Sequence, residues 1–120
     1  MSRTKQTARS NVRRRTPVYV YMWEFHVKPT ARKTFERVYG PRGAWVQLFK
    51  CSNDYVRTEL IRDLRARYRY ITIDVWKSRH ICLAFKKKFS KEFDALDTEC
   101  SKLTTRERFL GEFTLVRPSG

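Results

Sequence analysis

The sequence predicts an α+β fold, a four-stranded antiparallel sheet in a split βαβ arrangement with helices on one face. Three observations predict it. The apolar pattern alternates between the strand period and the helix period, in the order strand, helix pair, strand, strand, helix, strand. Strands in that order, joined by right-handed helical crossovers, close into one sheet with the helices on one side. The chain has 120 residues, 41% hydrophobic and 14% aromatic, which suits a single domain around one core.

Residues 1–16 carry six basic residues, no acid and little to bury, and read as a flexible basic arm ended by Pro17. The domain is expected over 17–117, and 118–120 is a tail. VYVYMWEFHV, Val18 to Val27, is dense in β-branched and aromatic residues and reads as the first strand. Tyr19, Tyr21, Trp23 and Phe25 share one side of it; Val18, Val20, Met22, Glu24 and His26 share the other. Lys28-Pro29-Thr30 turns the chain into a helix whose stripe is Ala31, Phe35, Val38 and Tyr39, and Gly40-Pro41 stops it. A short second helix starts at Ala44, with Trp45, Leu48 and Phe49 facing inward.

Tyr55 to Asp63 and Tyr68 to Trp76 read as the second and third strands, with Ile71, Ile73 and Val75 on one side of the third. Ser78 is an N-cap candidate. Cys82, Phe85, Phe89, Phe93, Leu96, Cys100 and Leu103 follow at steps of three and four, which predicts one long amphipathic helix, bent near Ser90, with Lys86, Lys87, Lys88 and Lys91 largely off its apolar stripe. Arg108 to Val116 is the fourth strand, on which Phe109, Phe113 and Leu115 are expected to share a face.

Helices on one side leave the other side of the sheet uncovered, yet the first strand is mostly apolar on both. A second copy of the chain, sheet against sheet, is the simplest cover, so a homodimer is expected.

The net charge is +15, from 27 basic and 12 acidic residues, and favours polyanions without naming one. The three cysteines are odd in number and form no C-x-x-C, which argues against a disulfide framework and for a reducing, cytoplasmic setting. No apolar run is long enough for a membrane span or a secretory signal, so no membrane association is expected. The two histidines and the scattered cysteines show no metal-ligand spacing, and the four glycines form no phosphate loop, so neither metal nor cofactor is expected.

ITIDVWKSRHICLAF resembles the signature of antibiotic biosynthesis monooxygenase-like domains, in which an apolar strand is followed by W-x-S and a helix with an aromatic a turn or two later. Trp76, Ser78 and Phe85 hold those places, and MWEFHVKP, FERVYGPRGAWVQLFKCS, YVRTELIRD and RERFLGEF follow the family's order over about residues 18–114. The resemblance implies a ferredoxin-like dimeric α+β barrel with a pocket between sheet and helices in each copy. It also implies a cofactor-independent monooxygenase, or a small-molecule-binding protein, for an aromatic or polyketide-like substrate. Relatives oxidise polycyclic phenols to quinones with dioxygen, without metal or flavin; others degrade haem. Haem-degrading relatives carry an asparagine on the first strand and a histidine in the helix after W-x-S. Met22 stands near the first position and no histidine follows His80, so a haem-iron ligand is missing.

Cofactor-free oxygenation needs an apolar hollow, a proton acceptor and donors that steady an anion. Trp76 stands where the resemblance implies a pocket tryptophan, and His26 is a candidate base oriented by Glu24. Tyr21, Met22, Trp23 and Phe85 are candidate substrate contacts. Each has a plainer alternative: Trp76 as a core plug, Tyr21 and Trp23 as sheet-interface residues, Glu24 with His26 as a structural pair. Cys82 and Cys100, on the apolar stripe, suit packing rather than nucleophilic attack.

SRTKQTARS, Ser2 to Ser10, resembles a core-histone tail. Mimicry of that tail, a general nucleic-acid-binding arm and coincidence all fit it, and nothing downstream resembles the all-helical histone fold. A non-catalytic basic dimer that binds anionic partners through residues 1–16 is therefore the alternative function.

Overall fold

A computed structural model describes residues 18–116. The basic arm with its histone-like stretch, and the tail at 118–120, lie outside the described residues. Four strands and four helices follow one another: β1 (Tyr19–Val27), a 3-10 turn (Pro29–Ala31), α1 (Arg32–Tyr39), α2 (Ala44–Phe49), β2 (Tyr55–Arg62), β3 (Arg69–Trp76), α3 (Arg79–Lys88), α4 (Ser90–Cys100), a second 3-10 turn (Ser101–Leu103) and β4 (Thr104–Thr114). The sheet order is β2-β3-β1-β4, antiparallel throughout, as the split βαβ arrangement requires. Among the described residues no helix is long and apolar enough to cross a membrane.

The pleat of β1 sets the two sides of the sheet. Tyr19, Tyr21, Trp23 and Phe25 face the helices and pack into two aromatic clusters on that side. One cluster holds Trp76, Phe49, Cys82 and Phe85 with Tyr19 and Tyr21. The other holds Phe35, Tyr39, Tyr70 and Cys100 with Phe25 and Val27. Phe35 stacks on Tyr39 with ring centroids 4.2 Å apart and is fully buried, a burial that stabilises by about 3 kcal/mol. Trp23 and Trp45, both half-buried, touch both clusters and bridge them.

The long helix expected after Trp76, bent near Ser90, is two helices joined at that point. Phe89 leaves helical geometry (φ −103°, ψ 27°), although the Phe89 and Phe93 amides still donate to the carbonyls of Phe85 and Phe89 across the joint. The break turns α4, so that Phe93 reaches Phe49 and Trp45 while Phe85 stays on Trp76. Ser78 stands at the N-cap of α3 but does not cap it; its hydroxyl donates to Asp54 Oδ2 at 3.1 Å.

β4 starts at Thr104, four residues before the expected start at Arg108, because an edge strand needs backbone pairing and not an apolar face. Phe109 and Phe113 do not share a side. Leu110 is bulged out opposite Met22–Trp23, so Phe109 pairs with Trp23 on the helix side and Phe113 with Val20 on the other. The bulge needs Gly111: its φ is +139°, and a Cβ there would sit 3.3 Å from the Phe113 ring.

The helix-free side carries Val20, Met22, Ile61, Ile71, Ile73 and Phe113. At one end of it Glu24 is buried between two arginines. Arg69 Nε of β3 lies 2.5 Å from one carboxylate oxygen and Arg108 Nε of β4 lies 3.1 Å from the other. These partners, Arg69 first, hold the Glu24 carboxyl below the usual range against the pull of burial.

Candidate active site

Between the two aromatic clusters the helix side does not close, and a cleft of about 350 Å³ remains. Its floor is the sheet: Tyr21, Trp23 and Phe25 of β1, Thr58 of β2, Thr72 and Asp74 of β3, and Glu107 of β4. Its roof is Tyr39 of α1, Trp45 and Phe49 of α2, Lys86 of α3, and Phe93, Asp94 and Asp97 of α4. Seven of these fourteen side chains are aromatic rings, which makes the cleft a slot for a flat, apolar body.

Its chemistry sits at one end. Asp74 is 5% exposed, and burial pushes its carboxyl up to about 6, against a hydrogen bond from Thr58 and the nearby Lys86 charge. The Thr58 hydroxyl donates a hydrogen bond to Asp74 Oδ1, and Tyr55 Oη donates to Thr58 Oγ1 at 2.8 Å. A chain of hydroxyls thus runs from the buried carboxyl to Tyr55, which is half-buried at the start of β2. Lys86 lies over the face of Tyr21, its Nζ 3.9 Å from the ring centroid. Burial lowers the Lys86 pKa, while Cys82 and Asp74 favour its charged form. The Tyr21 hydroxyl is buried without a hydrogen-bond partner; burial and then the Asp74 charge hold it neutral, well above the usual phenol range.

The candidates named from the sequence divide by side of the sheet. Tyr21 and Trp23 line the cleft. Glu24, His26 and Met22 alternate with them and project from the opposite face, so the sheet lies between them and the cleft. His26 Nε2 does approach Glu24 Oε1, at 3.9 Å, but that carboxylate is already held by Arg69 and Arg108. As a catalytic pair for this cleft, Glu24 and His26 are corrected by the pleat. Trp76 and Phe85 lie under the cleft rather than on it: Trp76 is fully buried, with the rings of Phe49, Tyr55 and Phe85 5.4–5.5 Å away. Asp74, Thr58 and Lys86 were not singled out in the sequence. The available signal was an acid on the threonine side of ITIDVW, where burial of both strand faces makes a carboxylate conspicuous. All three cysteines are free thiols; burial raises the Cys82 pKa to about 11, so that group stays a thiol.

No family model matches the chain, and no curated protein matches it in sequence. Solved structures share its fold. A proposed antibiotic biosynthesis monooxygenase from Nitrosomonas europaea superimposes with a TM-score of 0.65 at 13% identity, over 86% of this chain and 94% of that one. SnoaB, a cofactor-independent oxygenase from Streptomyces nogalater, in a point variant, gives 0.61 at 21% identity, over 84% and 95%. PA3566 from Pseudomonas aeruginosa gives 0.56 at 13%, over 87% and 96%.

Proposed function

From a fold shared with antibiotic biosynthesis monooxygenase-like proteins, we propose that this chain is a cofactor-independent oxygenase of a flat, acidic aromatic substrate, with Asp74 as its base. The carrying observation is the buried Asp74 carboxyl facing Lys86 at the end of an aromatic slot. A carboxyl titrating near 6 is mostly ionised at neutral pH and still basic enough to take a proton. Lys86 lies where a positive charge would steady the resulting anion. An activated ring methylene is the simplest substrate. It gives its proton to Asp74, and the carbanion passes an electron to dioxygen and couples with it through a new C–O bond. The peroxide takes the proton back, and loss of water leaves a carbonyl. One oxygen atom ends in the product and one in water, and the substrate supplies all four electrons.

The test is dioxygen uptake with anthrone-like or hydroquinone substrates across pH. Because the base must be ionised, kcat/KM is expected to rise with pH through about 6. Thr58→Val removes a hydrogen bond to the ionised form and so raises the Asp74 pKa, moving that limb up by about one pH unit. Absence of uptake, or a flat profile between acid and neutral pH, would overturn the assignment.

A homodimer completes this reading. The apolar helix-free side of the sheet supports a second copy packed sheet to sheet, which would dry Ile61 and Phe113, each 46% exposed in one copy. Light scattering is expected to give a dimer, and Ile73→Lys a folded monomer. A wild-type monomer at micromolar concentration would refute the pairing.

A further inference from the structure

We propose that the cleft takes an aromatic compound bearing a protonated amine, its hydroxyl-bearing end at Asp74 and Lys86 and its cationic end toward Asp97 and Glu107. This rests on the cleft being a substrate site, as proposed above, and names the class of substrate.

The argument begins with sign. The chain is strongly basic, with 27 Lys and Arg, yet the cleft is lined by four carboxyl groups and a single ammonium. Among the described residues Asp94, Asp97 and Glu107, all exposed, make no ion pair, whereas Glu24, Glu59 and Glu112 of the sheet each have a basic partner. Three unpaired carboxylates on one cleft of a cationic protein concentrate cations there and repel anions.

Placement makes the cleft bipolar. Asp74 stands opposite Tyr21 on β1, and Glu107 stands opposite Phe25. Four residues of strand separate those rows, about 13 Å at the usual rise. Asp94 and Asp97, three apart on α4, share a face of that helix. Asp97 lies close enough to Glu107 that its charge, after the larger effect of burial, raises the Glu107 carboxyl; Thr104, donating at 3.1 Å, opposes both. A cation would relieve that repulsion. Lys86 does not: it is placed over Tyr21, at the Asp74 end.

Between the poles the walls are aromatic, with Trp23 and Trp45 among them, and aromatic faces accept both a flat ring and an alkylammonium. The Tyr21 hydroxyl, on a cleft-lining residue 3% exposed, is buried without a partner at the Asp74 end. Among the described residues no three His, Cys, Asp or Glu side chains converge as metal ligands would. The negative pole is spread out, which suits an organic ammonium better than a metal ion.

Quenching of tryptophan fluorescence in the full chain at low salt and neutral pH tests this, with three probes on one scaffold: naphthol, its aminomethyl derivative and its carboxylate. The aminomethyl compound is expected to bind about tenfold more tightly than naphthol, and the carboxylate about tenfold more weakly. In the Asp97→Asn, Glu107→Gln double variant the cation loses its advantage while naphthol binding stays within about twofold. Naphthol binding as tightly as the aminomethyl compound, or a preference that survives the double variant, would overturn the proposal and leave the cleft a ligand site. Binding by none of the three would overturn both.

Discussion

Asp74→Asn is expected to lower dioxygen uptake by about 10²–10⁴-fold while the protein becomes more stable at neutral pH. Asparagine keeps the shape, and its Oδ1 still accepts from Thr58, so the cleft persists without its base. The stability change follows from linkage. The Asp74 carboxyl titrates at about 6 in the folded chain against an ordinary 3.8, so between those pH values the folded state holds the extra proton and stability falls as pH rises. Above about 6 the penalty is complete, and removing the charge recovers about 1–2 kcal/mol, moderated because Lys86 loses its neighbour. Activity assays and urea denaturation at neutral pH read the two effects. A variant both less active and less stable would assign Asp74 to structure alone.

Trp76→Ala is expected to destabilise by about 3–5 kcal/mol, much of what a domain of this size has in reserve. The side chain is fully buried among Phe49, Tyr55 and Phe85, and truncation leaves a void those rings cannot fill. Trp76→Phe keeps most of the volume and deletes a buried indole N–H that has no partner, so it is expected to restore both fold and turnover. Denaturation midpoints together with uptake measured well below them distinguish a plug from a reacting group. If Trp76→Phe folds normally but is inactive, Trp76 takes a direct part in the chemistry.

The legible part of the fold was its periodicity. The strand alternation of Tyr19–Val27 and Arg69–Trp76 and the stripe from Phe35 to Tyr39 place their elements because apolar side chains must face one core. The bulge at Leu110 was not legible, and of the joint at Phe89 the bend near Ser90 was legible but not the division into two helices. The first depends on cross-strand pairing with Met22 and Trp23, and the second on packing by Phe49 and Trp45; neither partner is local. In the cleft, Tyr21 and Trp23 could be read from the side of the strand they occupy. The working end could not, because Asp74, Thr58 and Lys86 come from three elements that meet only after folding. Lys86 in particular sits in a run of three lysines, where composition gives no way to tell which one turns inward.

The Glu24 cluster bears on how the sheet finds its alignment. One carboxylate on the central strand grips a guanidinium from each neighbour, so three chain segments distant in sequence share one bolt. If either neighbouring segment slid by a single residue, its arginine would swing to the crowded side and leave the buried carboxylate with one of its two partners. Misassembled forms are thereby penalised at one point, and a cluster remote from the cleft fixes which residues the cleft receives.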